Sequence, residues 1–176
     1  MEVDTLPIYK SYWVIPGRFR AGEYPGSIQD DEARGKIRWL LDLGINLFLD
    51  LTVAGEYDLK PYIHLLNEES NNVHKSVVHK RIPIQDFSTP TQKEMVGIID
   101  TIELALSERK NIYLHCFGGR GRTGTVVGCY LARHGTLGET ALARIQELRK
   151  GMPNEESASP ETDEQRRMVM EWLKGQ

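Results

Sequence analysis

The sequence predicts an α/β fold in which helices flank a central, mostly parallel sheet. Short apolar segments of strand length alternate with longer segments whose apolar residues recur at helical spacing. The 176 residues, of which 40% are hydrophobic, suffice for one sizeable core and give no reason to expect two. We therefore interpret residues 1–176 as a single domain.

The first half of the chain supplies the first strands and helices of this alternation. Two short strands within residues 11–21 surround the turn dipeptide Pro16-Gly17. The next predicted elements are a helix from Asp30 to Leu43, a buried strand from Ile45 to Leu51, a short helix from Pro61 to about Glu68, and a strand from Val77 to Ile84. Proline suits the first turn of the short helix, and the polar residues 68–72 are expected to end it.

The second half alternates in the same way. A helix start at Thr89-Pro90 opens a helix to about Glu108, and a strand from Asn111 to His115 follows. The last predicted elements are a helix from Thr123 to His134, one from a capping box at Thr136 and Glu139 to Lys150, and one from Ser159-Pro160-Glu161 to near Lys174. Ligands of such sheets bind beyond the carboxyl ends of the strands, which points to the loop after His115.

Charge and cysteine content exclude several classes of protein. The net charge of −3 argues against a nucleic-acid-binding protein, because binding to a phosphate backbone needs a basic surface. No segment is apolar over the length of a membrane span, and the N-terminus lacks the pattern of a signal peptide. Two cysteines do not make a disulfide framework, so we expect a reducing, cytoplasmic setting. None of these features predicts the oligomeric state.

Residues 115–125 combine a cysteine, two arginines and several glycines between a predicted strand and a predicted helix. Glycines let backbone N–H groups approach a bound group closely, and the helix start adds the positive end of a dipole. This combination favours an oxyanion, and it also favours the thiolate form of Cys116, which is a nucleophile. Arg122 adds a planar fork that can bind two phosphate oxygens. The residues alone therefore predict a site for covalent phosphate transfer.

A dinucleotide site is the alternative interpretation of these glycines. Gly119, Gly121 and Gly124 have the spacing of the dinucleotide-binding fingerprint. However, the acidic residue expected about twenty positions later, Glu139, falls inside a predicted helix rather than at a strand end. A nucleotide site also gives no reason for a cysteine directly before the loop, so we favour phosphate transfer.

The segment His115-Cys116-x-x-Gly119-x-Gly121-Arg122-Thr123-Gly124 resembles the signature of the cysteine-dependent protein tyrosine phosphatase superfamily. Within it, the chain resembles the small (atypical) dual-specificity phosphatases from about Tyr12 to the C-terminus. The resemblance implies a phosphatase fold of the CX5R type that uses no metal and no other cofactor. It also implies that Cys116 attacks phosphorus, that Thr123 helps the sulfur to leave, and that His115 orients the loop. The implied phosphate-binding residues are Phe117, Gly118, Gly119, Arg120, Gly121 and Arg122.

Transfer of a phosphate also needs an acid for the leaving oxygen. Carboxylates in loops at strand ends are the candidates, namely Asp50, Glu56, Asp58 and Asp86. Asp86 follows a predicted strand, precedes a helix, and has the Pro-x-x-Asp context in which the resembled family carries its acid. We therefore favour Asp86, and the alternative is that it only shapes a turn. Asp50 comes second and is expected to be a structural carboxylate near the loop.

Two further polar residues have a functional and a structural interpretation. Gln165, near the start of the last helix, resembles the family's glutamine that positions the hydrolytic water; alternatively it lies on a solvated helix face. Arg120 is a second base in the loop, and in the family such a base is frequent among enzymes of lipid and inositol phosphates. Alternatively, Arg120 faces solvent and pairs with a nearby carboxylate. We interpret Cys129 as a buried core thiol, because its position along the helix is incompatible with the geometry of a disulfide bond to Cys116.

We interpret the chain as a hydrolase of phosphate monoesters that forms a cysteinyl-phosphate. The absence of a long insertion predicts a shallow cleft, which favours a dual-specificity protein phosphatase acting on Tyr, Ser and Thr. A phosphatase of inositol phosphates or phosphoinositides is the alternative enzyme, and a phosphate-binding module without catalysis is the non-enzyme alternative. The expected partner is a phosphorylated protein or a small phosphate ester.

Overall fold

A computed structural model describes residues 10–176 of the chain and has a five-stranded sheet flanked by helices. The predicted fold class is therefore confirmed, whereas the organisation of residues 1–176 as one domain stays a prediction. The elements are β1 (Ser11–Ile15), β2 (Phe19–Gly22), α1 (Asp30–Asp42), β3 (Leu47–Asp50), a 3-10 turn (Glu56–Asp58), α2 (Ile63–Asn72), β4 (Val78–Arg81), α3 (Gln92–Ser107), β5 (Ile112–His115), α4 (Gly121–Arg133), α5 (Gly138–Leu148) and α6 (Asp163–Glu171).

The strand order is β1-β2-β5-β3-β4, and every pair is parallel except β1 with β2. In this register His115 lies between Gly22 of β2 and Asp50 of β3. The carboxyl ends of the three central strands thus meet at one edge of the sheet. The loops that follow them converge there, which is where parallel sheets place their ligands.

Both faces of the sheet are covered, because side chains alternate between two cores. Ile112 and Leu114 of β5 point into the core on the α3–α6 face, whereas Tyr113 points into the core beneath α1 and α2. Cys129 of α4 is a free, fully buried thiol, as expected from the sequence. None of the helices within residues 10–176 has both the length and the apolar character that crossing a bilayer requires.

The predicted end of the short helix at Glu68 is wrong, because α2 continues to Asn72. Glu69 in its last turns is 2% exposed, and its carboxylate accepts hydrogen bonds from Arg34 and Arg38 of α1. These ion pairs with a neighbouring helix compensate for burying the charge. Polarity alone was therefore a poor signal for the end of this helix.

Three predicted helix starts are also wrong. The cap of α3 is Thr91 rather than Thr89, because the Thr91 hydroxyl accepts from the Glu94 amide and the Thr91 amide donates to the Glu94 carboxylate, which completes a capping box. The cap of α5 is Leu137 rather than Thr136, and it has no side-chain cap bond. The cap of α6 is Thr162 rather than Ser159, so this helix starts at Asp163, and it ends at Glu171 rather than near Lys174.

Candidate active site

The loop of residues 116–120, called the cysteine loop below, joins β5 to α4 and packs against the end of β2. Gly119 has φ +68°, and a Cβ atom there would lie 2.4 Å from the carbonyl carbon of Gly22. Only glycine fits this combination of a left-handed conformation and a close backbone approach. The Tyr24 amide also donates to the Phe117 carbonyl over 2.9 Å. The shape of the loop is therefore fixed by its contact with β2.

The amides of the cysteine loop are available to a ligand. Those of Phe117, Gly118 and Gly119 donate no hydrogen bond to another backbone group among residues 10–176. The first amides of α4 follow directly and add the positive end of the helix dipole. Cys116, at the start of the loop, is 3% exposed. An oxyanion beside the sulfur would meet several N–H donors at once.

His115 lies fully buried beneath the loop. Its Nδ1 is 3.2 Å from the Cys116 carbonyl oxygen, and its Nε2 is 2.7 Å from the Tyr62 hydroxyl. A carbonyl only accepts, so Nδ1 carries the proton and Nε2 accepts from Tyr62. Burial lowers the pKa of His115 to about 4, although the nearby Asp50 opposes this shift. The imidazole is therefore neutral at neutral pH, and its bonds are those of a group that orients the loop.

Asp50 is a buried structural carboxylate beside His115. Thr52 donates to it from its amide and its hydroxyl, and Arg81 donates from two guanidinium nitrogens over 3.1 and 2.9 Å. Burial raises the pKa of Asp50, but hydrogen bonds from His79 and Thr52, together with His115, hold it well below its usual range. A carboxylate so fully bonded in its ionised form is a poor proton donor. The structural interpretation of Asp50 thus fits its surroundings better than the acid role.

Arg122, in the first turn of α4, is 1% exposed, and a single carboxylate binds two nitrogens of its guanidinium. Its two terminal nitrogens donate to the Glu56 carboxylate over 2.8 and 2.7 Å, and one of them also donates to the Ile84 carbonyl over 3.0 Å. The buried Nε has no hydrogen-bond partner among the residues that the structure describes. Glu56 therefore occupies the terminal edge of the guanidinium and leaves the Nε edge for another oxyanion.

Asp86 lies in the loop before α3, and its side chain is close to Arg122. One carboxylate oxygen lies 3.2 Å from a terminal nitrogen of Arg122 and accepts from the Phe87 amide, while the other accepts from the Tyr57 hydroxyl over 2.5 Å. The side chain is 21% exposed, so it is accessible from the pocket. Of the sequence candidates for the acid, Asp86 is the one that lines a pocket together with Cys116.

This pocket, called the cysteine pocket below, has a volume of about 430 Å³. Its lining residues are Lys10, Tyr57, Asp86, Phe87, Cys116, Phe117, Gly118, Arg120, Gly121, Asn154 and Glu161. Arg120 lies at its edge, where Nε donates to the Ala158 carbonyl over 2.7 Å and a terminal nitrogen lies 3.1 Å from the Glu161 carboxylate. The second base of the loop is thus adjacent to the pocket and already paired.

Thr123 lacks the hydrogen bond that the resemblance implies, and Gln165 lies in the interior of the protein. The Thr123 hydroxyl is buried and makes no hydrogen bond within the described part of the chain, so the expected bond to the Cys116 sulfur is not formed in this structure. Gln165 is fully buried rather than solvated. Its carbonyl oxygen accepts from the Glu161 and Thr162 amides, and its nitrogen donates to the Ser88 carbonyl over 3.2 Å. Gln165 therefore connects α6 to the loop that carries Asp86.

Glu56 and Tyr57 have contacts at the site that sequence reasoning missed. The sequence suggests Glu56 only as a candidate acid and assigns no role to Tyr57. Both belong to a 3-10 turn in the loop after β3, and Tyr57 has φ +50°, so no periodic pattern marks them. The one signal in the sequence is their position after a buried strand, at the edge where ligands bind.

Proteins similar to this chain include cysteine phosphatases. A putative tyrosine phosphatase, 067L, of Invertebrate iridescent virus 3 is 31% identical over 101 residues, which cover 55% of this chain and 38% of that protein. A probable phosphatidylinositol 3,4,5-trisphosphate 3-phosphatase, TEP1, of Saccharomyces cerevisiae is 37% identical over 95 residues, covering 51% and 21%. The chain spans 54% and 58% of the length of two further curated relatives, both from Methanocaldococcus jannaschii.

A crystal structure and a family of domains each match nearly the whole chain. A crystal structure of Tk-PTP in the active form superimposes with a TM-score of 0.64 at 25% identity, covering 91% of this chain and 93% of that chain. Residues 9–171 match the family described as "PTP-SAK: Swiss Army Knife protein, DSP-PTPase phosphatase domain". The resemblance seen in the sequence is thereby confirmed, and the chain belongs to this family of DSP-PTPase phosphatase domains.

Proposed function

We propose that this protein hydrolyses phosphate monoesters through a cysteinyl-phosphate and acts as a dual-specificity protein phosphatase on Tyr, Ser and Thr. One observation carries the proposal. Beside Cys116, the buried Arg122 is held by Glu56 through its terminal nitrogens while its Nε remains without a partner among residues 10–176. A buried guanidinium with an open edge, next to a thiol and a row of N–H groups, suits a phosphate dianion.

In the first step, the Cys116 thiolate attacks phosphorus and the bond from phosphorus to the ester oxygen breaks. Arg122 and the amides of the cysteine loop stabilise the charge on the three equatorial oxygens. Asp86 donates a proton to the leaving oxygen, which departs as an alcohol or phenol. The Tyr57 and Phe87 hydrogen bonds to Asp86 orient its carboxyl towards the pocket.

In the second step, a water molecule attacks phosphorus and the phosphorus–sulfur bond breaks, which releases inorganic phosphate and the thiolate. The Asp86 carboxylate accepts the proton of this water. We assign the orientation of the water to Gln165 and assistance to the departing sulfur to Thr123. During turnover Gln165 must then exchange its bond to Ser88, and the Thr123 hydroxyl, which makes no hydrogen bond within residues 10–176, must gain one.

The proposal that the substrate is a protein rests on the aromatic rim of the cysteine pocket. Tyr57, Phe87 and Phe117 line it and are 58%, 54% and 47% exposed. Such rings can pack against a phosphotyrosine ring or against the neighbouring residues of a peptide. The name of the viral relative, a putative tyrosine phosphatase, agrees with this class of substrate. We also propose that the protein acts in the cytoplasm, where its thiol stays reduced.

Two substitutions test the mechanism. Cys116→Ser should abolish hydrolysis of p-nitrophenyl phosphate and of phosphopeptides while orthovanadate still binds. Asp86→Asn should slow phosphoserine and phosphotyrosine peptides by about 100-fold but p-nitrophenyl phosphate much less, because its leaving group needs little protonation. Turnover by the Cys116 variant would contradict the nucleophile. Equal, small losses on all substrates in the Asp86 variant would assign the acid elsewhere.

A phosphatase of inositol phosphates or phosphoinositides is the second candidate. It is supported by the position of Arg120 at the edge of the cysteine pocket and by the name of the yeast relative. A panel of phosphotyrosine, phosphoserine and phosphothreonine peptides beside soluble inositol phosphates separates the two candidates. A higher kcat/KM on inositol phosphates than on every peptide would replace our first choice.

A further inference from the structure

A second pocket of about 440 Å³ lies beside the cysteine pocket and has no part in the chemistry described above. We call it the side pocket, and its lining residues are Lys10, Glu23, Tyr24, Gly26, Ser27, Ile28, Lys36, Tyr57, Asp58, Leu59, Lys60, Phe117 and Gly118. Its volume is in the range of pockets that hold a small ligand or a side chain. The side pocket therefore has room for a further part of the substrate.

The two pockets adjoin each other. Lys10, Tyr57, Phe117 and Gly118 line both of them. The Tyr57 and Phe117 rings pack against each other with centroids 5.4 Å apart and form the partition. A substrate whose phosphate lies beside Cys116 has to place its adjacent atoms near this partition, so the far side of it is within reach of the same molecule.

The side pocket has an apolar interior. Tyr24 is 6% exposed, and its hydroxyl is engaged with the Lys60 carbonyl, so its ring is the part that faces the pocket. Ile28 is 90% exposed, the largest exposed fraction among the large hydrophobic residues of the described chain. Leu59 adds a further aliphatic surface. An exposed isoleucine gains most when an apolar group covers it.

Two of the three lysines that line the side pocket are paired with carboxylates. The Lys60 ammonium lies 2.6 Å from the Asp30 carboxylate, and the Lys36 ammonium lies 3.0 Å from that of Glu32. Burial raises the pKa of Glu23, and the nearby Lys36 opposes this shift. Lys36 and Lys60 thus already have carboxylate partners, and Tyr24, Ile28 and Leu59 form the apolar surface of the pocket.

We propose that the side pocket binds an apolar side chain two positions away from the phosphorylated residue of an extended peptide. Side chains two positions apart on an extended chain lie on the same face, about 7 Å from each other. The phosphorylated side chain then enters the cysteine pocket, the intervening residue faces away, and the apolar side chain crosses the Tyr57–Phe117 partition. This inference rests on the proposed function.

The experiment compares phosphotyrosine peptides that differ only at the positions two before and two after the phosphorylated residue. At one of these positions, Leu or Phe should raise kcat/KM at least about 10-fold over Ser or Asp, a ratio typical of an apolar pocket. Ile28→Glu should remove most of this preference and leave the hydrolysis of p-nitrophenyl phosphate within about twofold of wild type, because Ile28 lies outside the cysteine pocket. Leu104→Glu, at a 61% exposed position that lines neither pocket, is the matched control.

The outcomes separate this inference from the proposed function. Hydrolysis of phosphopeptides without an apolar preference, or with a preference for acidic residues, overturns the side-chain site only. Hydrolysis of p-nitrophenyl phosphate without that of any phosphopeptide overturns the proposed protein substrate. Faster hydrolysis of a phosphoinositide in phosphatidylcholine vesicles than of every peptide, reduced by Ile28→Glu, would assign the side pocket to a membrane surface and overturn the peptide site.

Discussion

The layer beneath the cysteine loop, called the floor below, differs from the rim of the cysteine pocket. The floor consists of His115 with its neighbours Asp50 and Tyr62 and is almost fully buried; Tyr62 donates to His115, and Thr52 and Arg81 donate to Asp50. The rim, residues 56–58, 86–87 and Phe117, carries the exposed rings of Tyr57, Phe87 and Phe117, and Tyr57, Asp58 and Phe87 have positive φ angles. Few buried contacts and exposed hydrogen bonds mark a region that opens easily. The floor therefore fixes the nucleophile, whereas the rim can adjust the acid and the substrate.

Among the changes that test the difference between floor and rim, the largest effect is expected where the cysteine loop meets β2. Gly119→Ala would place a Cβ atom 2.4 Å from the Gly22 carbonyl carbon at a φ of +68°, so the loop has to shift. A displacement of about 1 Å of catalytic groups typically costs about 100-fold in rate, and we expect a loss of that size in kcat/KM. Steady-state kinetics with p-nitrophenyl phosphate measure it.

Gly118→Ala is the matched control in the same loop. Its φ angle is not in the left-handed region, and a Cβ atom there would meet nothing within 4 Å. We expect a loss below about fivefold, since the backbone amide is retained. Similar losses in both variants would show that the loop is not fixed by its contact with β2.

The next effect concerns the floor and appears as a pH dependence of stability. The pKa of His115 is about 4 in the folded protein and 6.5 as its ordinary value. Between these values the unfolded chain binds the proton and the folded protein does not. Stability is therefore full above about pH 7 and falls as the pH drops from 6.5 towards 4, by about 2 kcal/mol at about pH 5. Urea unfolding at about pH 7 and at about pH 5 measures this loss in the free energy of unfolding.

His115→Asn should flatten this pH dependence, because the group that titrates is gone. His64→Asn changes an exposed histidine and should leave the wild-type pH dependence in place. Asp50 does not mask the effect, because its pKa is depressed in the fold and its contribution is lost only as the pH falls below about 4. An unchanged slope in the His115 variant would contradict a neutral, buried imidazole.

A smaller effect is expected at the rim. Tyr57→Phe removes the hydroxyl that donates to the proposed acid Asp86 and keeps the ring that packs on Phe117. One hydrogen bond to a charged group at an exposed site is worth about 1 kcal/mol, so kcat on phosphoserine peptides should fall about fivefold. The loss on p-nitrophenyl phosphate should be less, since that leaving group depends little on the acid. Equal losses would assign Tyr57 a role other than orienting Asp86.

The difference between floor and rim also explains what the sequence could predict. His115, Cys116 and Arg122 lie in one contiguous segment between a strand and a helix, so period and motif place them together. Glu56 and Tyr57 come from a short turn with left-handed residues, where no periodicity exists, and their partners are 66 and 29 positions away. Likewise, the last turn of α2 depends on ion pairs with a neighbouring helix. The start of α3 depends on whether Thr89 or Thr91, two residues apart, forms the cap. Local signals decide the elements and the cap of α3, whereas long-range pairs decide the end of α2 and the contacts of the rim.

The smallest effect on a singly phosphorylated peptide is expected at Arg120, whose side chain tests which substrate the pocket accepts. Its guanidinium is 32% exposed and already bonded to the Ala158 carbonyl and the Glu161 carboxylate. A partly exposed ion pair of this kind contributes little, so Arg120→Ala should change kcat/KM on a singly phosphorylated peptide by less than about twofold. Glu161→Gln releases the guanidinium towards the cysteine pocket, which both residues line. If the protein acts on inositol polyphosphates, the free Arg120 guanidinium of the Glu161→Gln variant can bind a second phosphate, so this variant should hydrolyse them faster than wild type. Arg120→Ala removes that cation and should slow their hydrolysis more than about 10-fold. Unchanged rates on inositol polyphosphates in both variants would restrict the rim to the peptide substrates that its aromatic rings favour.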